Sequence, residues 1–437
     1  MKFTKVNIQY CSGPGGQELL RRNEENMADS ICGRIKLDID QPDLQRLIDA
    51  VQSSKPVCGL THDFYRYPAR FSPQFARAAI EVFTEPGDVV VDPFMGGATS
   101  LVEARALGRV GIGLDVNELS CFIARVKTTP LAPSDIKAIR SWIRHTIPIL
   151  NMRLTANRPH EWIARGYQRN IGTRQTWPIR KSLEQALARV TSLKSEVQKD
   201  FVRAVLLRTG QWALDCRSDV PSAMQFREKL QQFSAEMINA IGEYARILDF
   251  NGDALPSDQT LLPTIILHRS AEAIDSEPSL RAYDPPKLVL TSPPYPGVHV
   301  LYHRWQVLGR RETPAPFWIS NTLDGSGSSY YAFGDRKQPQ LEKYFSTARA
   351  AFSSIARIAQ RNTLIVQIVA FSDPTWQLPL YLKTMRVAGL TELKLQGVQT
   401  AHDDRLWRTV PNRKWYADQR GSRGAGKEVV LFHKVTV

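Results

Sequence analysis

Short apolar runs, separated by stretches with helical spacing of apolar residues, give this chain an alternating pattern of predicted strands and helices. The run VVV at 89–91 is continuously β-branched, and the run LVL at 288–290 is equally short; each is typical of a strand buried on both faces. Further strands are predicted at 110–114, 363–370, 390–398 and 427–435, and helices at 43–53, 74–83, 101–107, 340–359 and 378–387. The alternation predicts a doubly wound α/β fold with a late antiparallel hairpin.

The strand at 89–91 runs directly into a glycine-containing turn, DPFMGGATS at 92–100. A helix and a second strand follow, and the second strand closes on Asp115. This is the order of a nucleotide-binding βαβ unit, in which glycines let the backbone pass close to a ligand and a strand-end acid can hold both ribose hydroxyls. The spacing is not G-x-G-x-x-G, which disfavours a dinucleotide dehydrogenase. A tight turn without a ligand is the plainer alternative.

The strand at 288–290 ends just as abruptly, in the sequence TSPPY at 291–295. Two consecutive prolines cannot donate ladder hydrogen bonds, so the strand stops at Ser292 and the backbone after it is stiff. The Ser292 hydroxyl and the Pro293 carbonyl are then held in fixed directions beside the flat face of Tyr295. Such a site suits a planar ring that bears an exocyclic amine, although an ordinary strand-to-turn exit is the alternative.

Polar side chains are predicted at the carboxyl ends of three strands: Asp92, Asp115 and Ser292. Ligands of doubly wound sheets bind at that edge, so we expect these side chains to surround one site. His299 and His303 stand four residues apart, but without a third ligand nearby no metal site is predicted.

Composition narrows the class of partner. The 437 residues carry a formal net charge of +14, which favours a polyanionic partner, most simply nucleic acid, over a generally basic surface. No stretch approaches the roughly 18 apolar residues that span a bilayer, so no membrane partner is expected. The amino-terminal segment lacks the apolar centre of a secretion signal, and the five cysteines are scattered, so a reducing cytoplasm is expected.

Residues 121–248 have a different composition from the segments on either side. Between 121 and 181 stand twelve Lys or Arg against two acids, interleaved with Trp142, Trp162 and Trp177. Because basic residues pair with phosphates and aromatic rings stack on bases, this composition suits a nucleic-acid surface. Tryptophans in a core beneath solvated arginines are the alternative. Helical periodicity at 181–211 and 226–248 makes the segment a helical insertion and a candidate for target recognition.

Two motifs, each at a predicted strand end, carry a family resemblance. Asp92-Pro93-Phe94-x-Gly96, followed far downstream by Thr291-Ser292-Pro293-Pro294-Tyr295, resembles the S-adenosylmethionine-dependent amino-methyltransferases of DNA. Tyr67-Pro68-Ala69-Arg70-Phe71 is similar to that family's amino-terminal motif, which closes over the methionine end of the cofactor. The resemblance covers residues 61–120 and 250–437 and implies a Rossmann-like methyltransferase sheet.

Together, the resemblance and the composition divide the chain into an extension at 1–60, a cofactor-binding part at 61–120, the insertion at 121–248 and a second catalytic part at 249–437. It assigns the cofactor S-adenosylmethionine to Tyr67, Pro68, Arg70, Phe71, Asp92, Phe94, Gly96, Asp115, Asp253 and Thr291. Within that set Asp115 would meet the ribose, and Asp253, at the end of a third strand at 246–254, would meet the adenine amine. The family's turn ends Gly-Ser-Gly-Thr-Thr, whereas Ala98 here replaces a glycine.

The reaction that the resemblance implies is methyl transfer to the exocyclic amine of a base flipped out of duplex DNA. The catalytic set is Ser292, Pro293, Pro294 and Tyr295. Ser292 Oγ and the Pro293 carbonyl would accept the amine hydrogens while Tyr295 stacks on the base. Serine at the first motif position favours cytosine N4, with adenine N6 left open.

Two further functions are compatible with these motifs: an RNA or tRNA base methyltransferase, and a non-catalytic DNA-binding relative. For the DNA methyltransferase, the resemblance further implies a cytoplasmic location, at the nucleoid of a prokaryote. A separately acting restriction endonuclease would be the partner of such an enzyme within a restriction–modification pair.

Overall fold

The computed structural model describes residues 36–37, 39–53, 55, 57–67, 72–153, 160–249, 264–297, 304–309, 311–325, 327–395, 405–409 and 427–436. The strands are β1 (Lys36–Leu37), β2 (Val89–Asp92), β3 (Val110–Asp115), β4 (Thr264–His268), β5 (Leu288–Thr291), β6 (Trp305–Val307), β7 (Arg311–Thr313), β8 (Leu364–Ala370), β9 (Leu390–Leu395), β10 (Leu406–Thr409) and β11 (Lys427–Val435).

The helices are α1 (Gln41–Gln52), α2 (Pro73–Phe83), α3 (Thr99–Ala106), α4 (Glu118–Thr128), α5 (Pro133–Thr146), α6 (His160–Ala164), α7 (Trp177–Val190), α8 (Glu196–Leu214), α9 (Ala223–Ile247), α10 (Ala315–Ser320), α11 (Ser328–Tyr331), α12 (Glu342–Ile358) and α13 (Pro374–Val387). Short 3₁₀ helices occur at His62–Phe64, Ile147–Ile149, Ala271–Ser276 and Pro278–Ala282. Among the described helices, none has the length and apolar character needed to cross a membrane.

One large sheet organises the described residues. Its strands follow the order β1-β9-β11-β8-β5-β2-β3-β4, with β10 paired to β11, while β6 and β7 form a separate pair. The strands β8, β5, β2, β3 and β4 run parallel, whereas β11 enters antiparallel between β8 and β9. The prediction of a doubly wound α/β fold with a late antiparallel hairpin is confirmed. The carboxyl ends of the parallel strands therefore meet at one edge.

The central strands are apolar throughout because helices cover both faces of the sheet. Every residue of β2, β5 and β8 is buried, which explains runs such as VVV in place of an alternating pattern. Leu288 belongs to an apolar cluster with residues of α1 and α2, whereas its neighbour Val289 belongs to one with residues of α12 and α13. Each such fully buried side chain contributes roughly 1.5–3 kcal/mol.

Helices α4 to α9 fill the segment between β3 and β4. The helices predicted at 181–211 and 226–248 are present as α7, α8 and α9, and side chains of Asn117, Ser195 and Ser222 cap α4, α8 and α9. These helices share an apolar core with β6 and α10. Trp142 lies in this core, and its indole Nε1 donates to the Arg189 carbonyl at 2.9 Å. Trp142 thus packs as a core residue.

The strand predicted at 246–254 is wrong at its start. Arg246 and Ile247 form the last turn of α9, because the apolar positions keep helical spacing up to buried Tyr244. The strand that pairs with β3 is β4, in which His268 stands opposite Asp115. The stretch 250–263 lies outside the described residues.

Candidate active site

The glycine turn after β2 brings its backbone against the ring of Tyr67. Gly96 has a φ of +44°, and a Cβ at this position would lie 3.2 Å from Tyr67 Cε1. Gly96 therefore combines a left-handed backbone with a close approach that a larger residue would disturb. Ala98 is also left-handed, with φ 60° and ψ 30°, and immediately precedes α3. The turn thus accommodates alanine at a position where this conformation costs an L-residue roughly 1–2 kcal/mol.

Asp115, at the end of β3, is tied to the same turn. Its Oδ2 accepts hydrogen bonds from the Gly96 amide and from Ser120 Oγ, both at 3.0 Å, and its Oδ1 accepts from the Asn117 amide at 2.8 Å. Burial raises the pKa of this carboxyl, and the hydrogen bonds offset part of the rise. The side chain is nevertheless partly open to the cavity beside the turn, so its oxygens are within reach of a ligand's hydroxyls.

Asp92 lies under the turn rather than in the cavity. Its carboxylate is fully buried and accepts from Thr291 Oγ1 at 2.7 Å, from the Phe94 amide at 3.1 Å and from Ser100 Oγ. Asp92 thus ties β2 to β5 and to the first turn of α3. Burial raises the pKa of Asp92 to about 6 in spite of these hydrogen bonds. The resemblance assigns Asp92 and Thr291 to the cofactor, but the residues that line the cavity include neither.

The serine and prolines after β5 are held in place by hydrogen bonds from two directions. Ser292 Oγ donates to the Ile368 carbonyl at 3.1 Å and lies 3.0 Å from Tyr295 Oη. The Pro294 carbonyl accepts from Tyr344 Oη at 2.6 Å, which fixes the turn from the side of α12. Tyr295 is 3% exposed, so protein atoms cover most of its ring. Its stacking on a base stays a prediction.

Behind Tyr295 lies a buried ion pair that sequence reasoning missed. Tyr295 Oη donates to Glu428 Oε1 at 2.8 Å, and Arg408 Nε donates to Glu428 Oε2 at 2.7 Å. Glu428 and Arg408 are only 4% and 9% exposed, and they stand opposite each other across β10 and β11. The signal in the sequence is an acid beside the apolar run at 429–432, which fits an exposed strand start equally well.

These parts surround a cavity of about 520 Å³ at the carboxyl edge of the sheet. The predicted residues that line it are Tyr67, Phe94, Gly96, Asp115, Ser292, Pro293, Pro294 and Tyr295. Sequence reasoning missed lining residues on its other sides, among them Arg269, Ser270 and Glu272 after β4, and Tyr330, Tyr331, Phe333 and Lys343. The residues Pro68, Arg70, Phe71, Asp253, His299 and His303 lie outside the described part of the chain. In the ranges that the structure describes, no group of three or more His, Cys, Asp or Glu side chains could hold a metal ion.

An aromatic wall closes the cavity above the glycine turn. The ring of Phe333 packs edge-on against Phe94, with 5.4 Å between centroids, and lies 5.7 Å from the ring of Tyr344. Phe333 has a φ of 60°, a strained backbone for an L-residue. Aromatic packing on both sides holds the side chain in this conformation, so the cavity has an apolar wall suited to a planar ring.

Comparison with known proteins agrees with the motifs. Residues 43–125 match the N6/N4 methyltransferase family described as DNA methylase. Type II methyltransferase M.MvaI of Kocuria varians is 40% identical over 91 residues, which are 20% of this chain and 20% of that protein. Type II methyltransferase M.MjaII of Methanocaldococcus jannaschii is 36% identical over 66 residues, 15% of this chain and 12% of that protein. The matched stretches thus span a fifth or less of these relatives. The family match includes the glycine turn and Asp115, and together the comparisons support the resemblance to the N4/N6 DNA methyltransferases.

Proposed function

We propose that this protein transfers a methyl group from S-adenosylmethionine to the exocyclic amine of a base in duplex DNA. One observation carries the proposal: Ser292, at the end of β5, opens into the same cavity as Gly96 and Asp115. An acceptor for an amine and a candidate cofactor site therefore share one space, as a direct transfer requires. The family match of residues 43–125 and the net charge of +14 support the choice of DNA methyltransferase and of a polyanionic substrate.

The residues around the glycine turn fit the cofactor. Asp115 presents a partly open carboxylate, the group that binds the two hydroxyls of a ribose, beside a backbone turn where a side chain at position 96 would make a tight contact with Tyr67. Phe94 and Phe333 supply apolar walls, and a cavity of about 520 Å³ is of the size that holds a small-molecule cofactor. When bound there, S-adenosylmethionine supplies an electrophilic methyl group on a sulfonium.

Ser292 and Pro293 perform the other half of the reaction by orienting the amine. The lone pair of an exocyclic amine is delocalised into the ring, which makes the amine a poor nucleophile. Two acceptors that take its hydrogens localise the lone pair and aim it. Ser292 Oγ is suited to this role because its own proton is directed to a protein acceptor, the Ile368 carbonyl or Tyr295 Oη. We propose the Pro293 carbonyl as the second acceptor, while the neighbouring Pro294 carbonyl accepts from Tyr344 Oη and fixes the turn.

We infer that the target base is cytosine and the methylated atom is N4, with adenine N6 as the second candidate. Serine at the first motif position favours cytosine on the family resemblance. The base must leave the duplex to reach Ser292, since the cavity lies at the end of β5 between buried strands. A restriction endonuclease that acts separately at the same DNA sequence is part of this proposal.

Methylation of duplex DNA with labelled S-adenosylmethionine, followed by mass spectrometry of the nucleosides, tests the proposal. We expect N4-methylcytosine in duplex DNA and no label in total RNA. N6-methyladenine alone would overturn the choice of base, and label in RNA alone would favour an RNA methyltransferase. An absence of S-adenosylmethionine binding in calorimetry would favour a non-catalytic relative.

The site assignment is tested by Ser292→Ala, which removes the proposed acceptor. We expect transfer to fall by at least about a hundredfold while the affinity for S-adenosylmethionine changes little. Ser279→Ala is the matched control, because Ser279 is exposed and its hydroxyl bonds only to Glu277 among the described residues, away from the cavity. Full activity of the Ser292→Ala variant would show that the amine is held elsewhere.

A further inference from the structure

The buried pair of Glu428 and Arg408 lies directly behind the proposed catalytic residues. Taking two charges out of water costs several kcal/mol per ion, and replacing such pairs by apolar residues is often neutral or stabilising. Stability alone is therefore a weak reason for a carboxylate at this position. The carboxylate instead makes one contact that bears on the reaction: Glu428 Oε1 accepts the hydroxyl of Tyr295 at 2.8 Å.

The hydrogen bonds around Glu428 direct the hydroxyl protons of Tyr295 and Ser292. A carboxylate only accepts hydrogen bonds, and Arg408 holds its other oxygen at 2.7 Å, so the single proton of Tyr295 Oη is directed to Glu428. Tyr295 then cannot donate to Ser292 Oγ, 3.0 Å away. The proton of Ser292 itself goes to the Ile368 carbonyl at 3.1 Å or to Tyr295 Oη.

Both arrangements have the same consequence for Ser292. Among the described residues, the Ser292 proton is directed to a protein acceptor, and the lone pair that faces neither Ile368 nor Tyr295 is left for a substrate. An amine brings a proton to this lone pair. A carbonyl oxygen in the same place brings lone pairs of its own, so Ser292 can meet it only by turning its proton away from the Ile368 carbonyl and Tyr295 Oη, which leaves those acceptors without it.

We propose that Glu428 is a positioning residue that keeps Tyr295 from donating to Ser292 and thereby makes the site select a base with an amine over one with a carbonyl at the reacting position. The inference rests on the proposed function and deepens it, since it explains why cytosine is accepted and uracil or thymine is rejected. Leaving a buried acceptor unpaired corresponds to a factor on the order of ten to a hundred in affinity.

The isosteric variant Glu428→Gln reverses the direction of the proton of Tyr295. The oxygen of the glutamine faces Arg408, which can only donate, so its amide nitrogen faces Tyr295 Oη and donates to it. The tyrosine proton then turns to Ser292 Oγ, so Tyr295 no longer accepts the serine proton, which becomes freer to point at the substrate and to oppose an amine. We expect kcat to fall on the order of tenfold, with little change in the KM for S-adenosylmethionine.

The discriminating measurement is a ratio of two affinities. Duplexes that carry cytosine or uracil at the methylated position (adenine or hypoxanthine for an adenine target) are titrated with each variant. We expect Glu428→Gln to lower the preference for the amine base by on the order of tenfold. In a Tyr295→Phe background, the same substitution is expected to leave the ratio unchanged because the hydroxyl that transmits its effect is gone. Arg408→Lys keeps a cation at Glu428 and is expected to preserve the wild-type ratio.

Glu392→Gln is the matched control, because Glu392 also accepts from an arginine, Arg405, at 2.6 Å and 3.0 Å and lies away from the cavity. Thermal unfolding of each variant reports any loss of folding. An unchanged ratio in a folded Glu428→Gln variant would overturn the inference, as would an equal change in Glu392→Gln or a change that persists in the Tyr295→Phe background. Failure of the proposed function is visible separately, because the wild-type protein would then methylate no duplex.

Discussion

Replacing Asp92 by asparagine is expected to stabilise the protein at neutral and alkaline pH. The carboxylate of Asp92 is fully buried, and burial raises its pKa from 3.8 to about 6. A difference of this size corresponds to roughly 3 kcal/mol that folding loses when the group must be charged. Asparagine keeps the shape without the charge. Its oxygen accepts from Thr291 and Phe94, and its amide donates to Ser100, whose hydroxyl turns to accept.

The sign of the pH dependence follows from the direction of the shift. Below about pH 4 Asp92 is protonated in the folded and the unfolded chain, so it does not affect stability. Between about pH 4 and 6 the folded state binds more protons, and the free energy of unfolding falls as the pH rises. Above about pH 6 the full penalty of roughly 3 kcal/mol is present. The advantage of Asp92→Asn is therefore expected to grow from near zero at about pH 4 to its full value at about pH 8.

Urea denaturation of both proteins at several pH values between about 4 and 8 measures this difference. Because Asp92 does not line the cavity, the affinity for S-adenosylmethionine is expected to change less than about threefold, which calorimetry measures on the same samples. A variant that is less stable at pH 8, or a difference that is the same at every pH, would refute the reasoning. Either result would show that the hydrogen bonds of the carboxylate outweigh the cost of burying its charge.

Three further substitutions test other parts of the structure. Asp275→Asn should show the opposite pH dependence, because the hydrogen bond from Arg357 lowers the pKa of Asp275 to about 2. The wild type then has extra stability above about pH 4 and loses it as the pH falls toward 2, whereas the variant lacks this dependence, as urea denaturation of both proteins would show. Gly96→Ala should destabilise by roughly 1–2 kcal/mol and weaken S-adenosylmethionine binding in calorimetry, because φ is +44° and the added methyl would lie 3.2 Å from Tyr67 Cε1, so that the ring must shift. Trp142→Phe should cost roughly 1–3 kcal/mol in urea denaturation by removing the indole's hydrogen bond to the Arg189 carbonyl and part of its packing in the core, with unchanged DNA affinity in filter binding; weaker DNA binding at full stability would contradict its place in the core.

The ends of β2 and β5 could be predicted because local chemistry decides them. Two prolines after Ser292 stop a strand whatever surrounds them, and glycine at position 96 marks a left-handed turn. Continuous apolar runs then indicated central strands, and parallel strands place their ends together. The convergence of Asp115 with Ser292 on one cavity follows from these rules alone.

The third strand was misplaced because the decisive information is not local. The sequence GDA at 252–254 has the form of a strand end followed by a turn, whereas β4 lies at Thr264–His268 and is followed by Arg269 and Ser270. Only the register of β4 against β3 shows which stretch completes the edge. Glu428 was missed for a similar reason. One charged residue near a strand start is normally solvated, and it becomes a buried partner of Tyr295 only when β10 brings Arg408 opposite it.

The long connection through α4 to α9 has a consequence for the order of folding. The hydrogen bond from Thr291 to Asp92 joins residues 199 positions apart, and closing a flexible loop of that length costs roughly 2 kcal/mol more than closing one of about 20 residues. Helices α4 to α9 supply most of one apolar cluster, so they can collapse early through local contacts and draw the ends of the connection together. We therefore expect the helices to gain protection from hydrogen exchange before β5 docks on β2. The residues that line the cavity are expected to come together last.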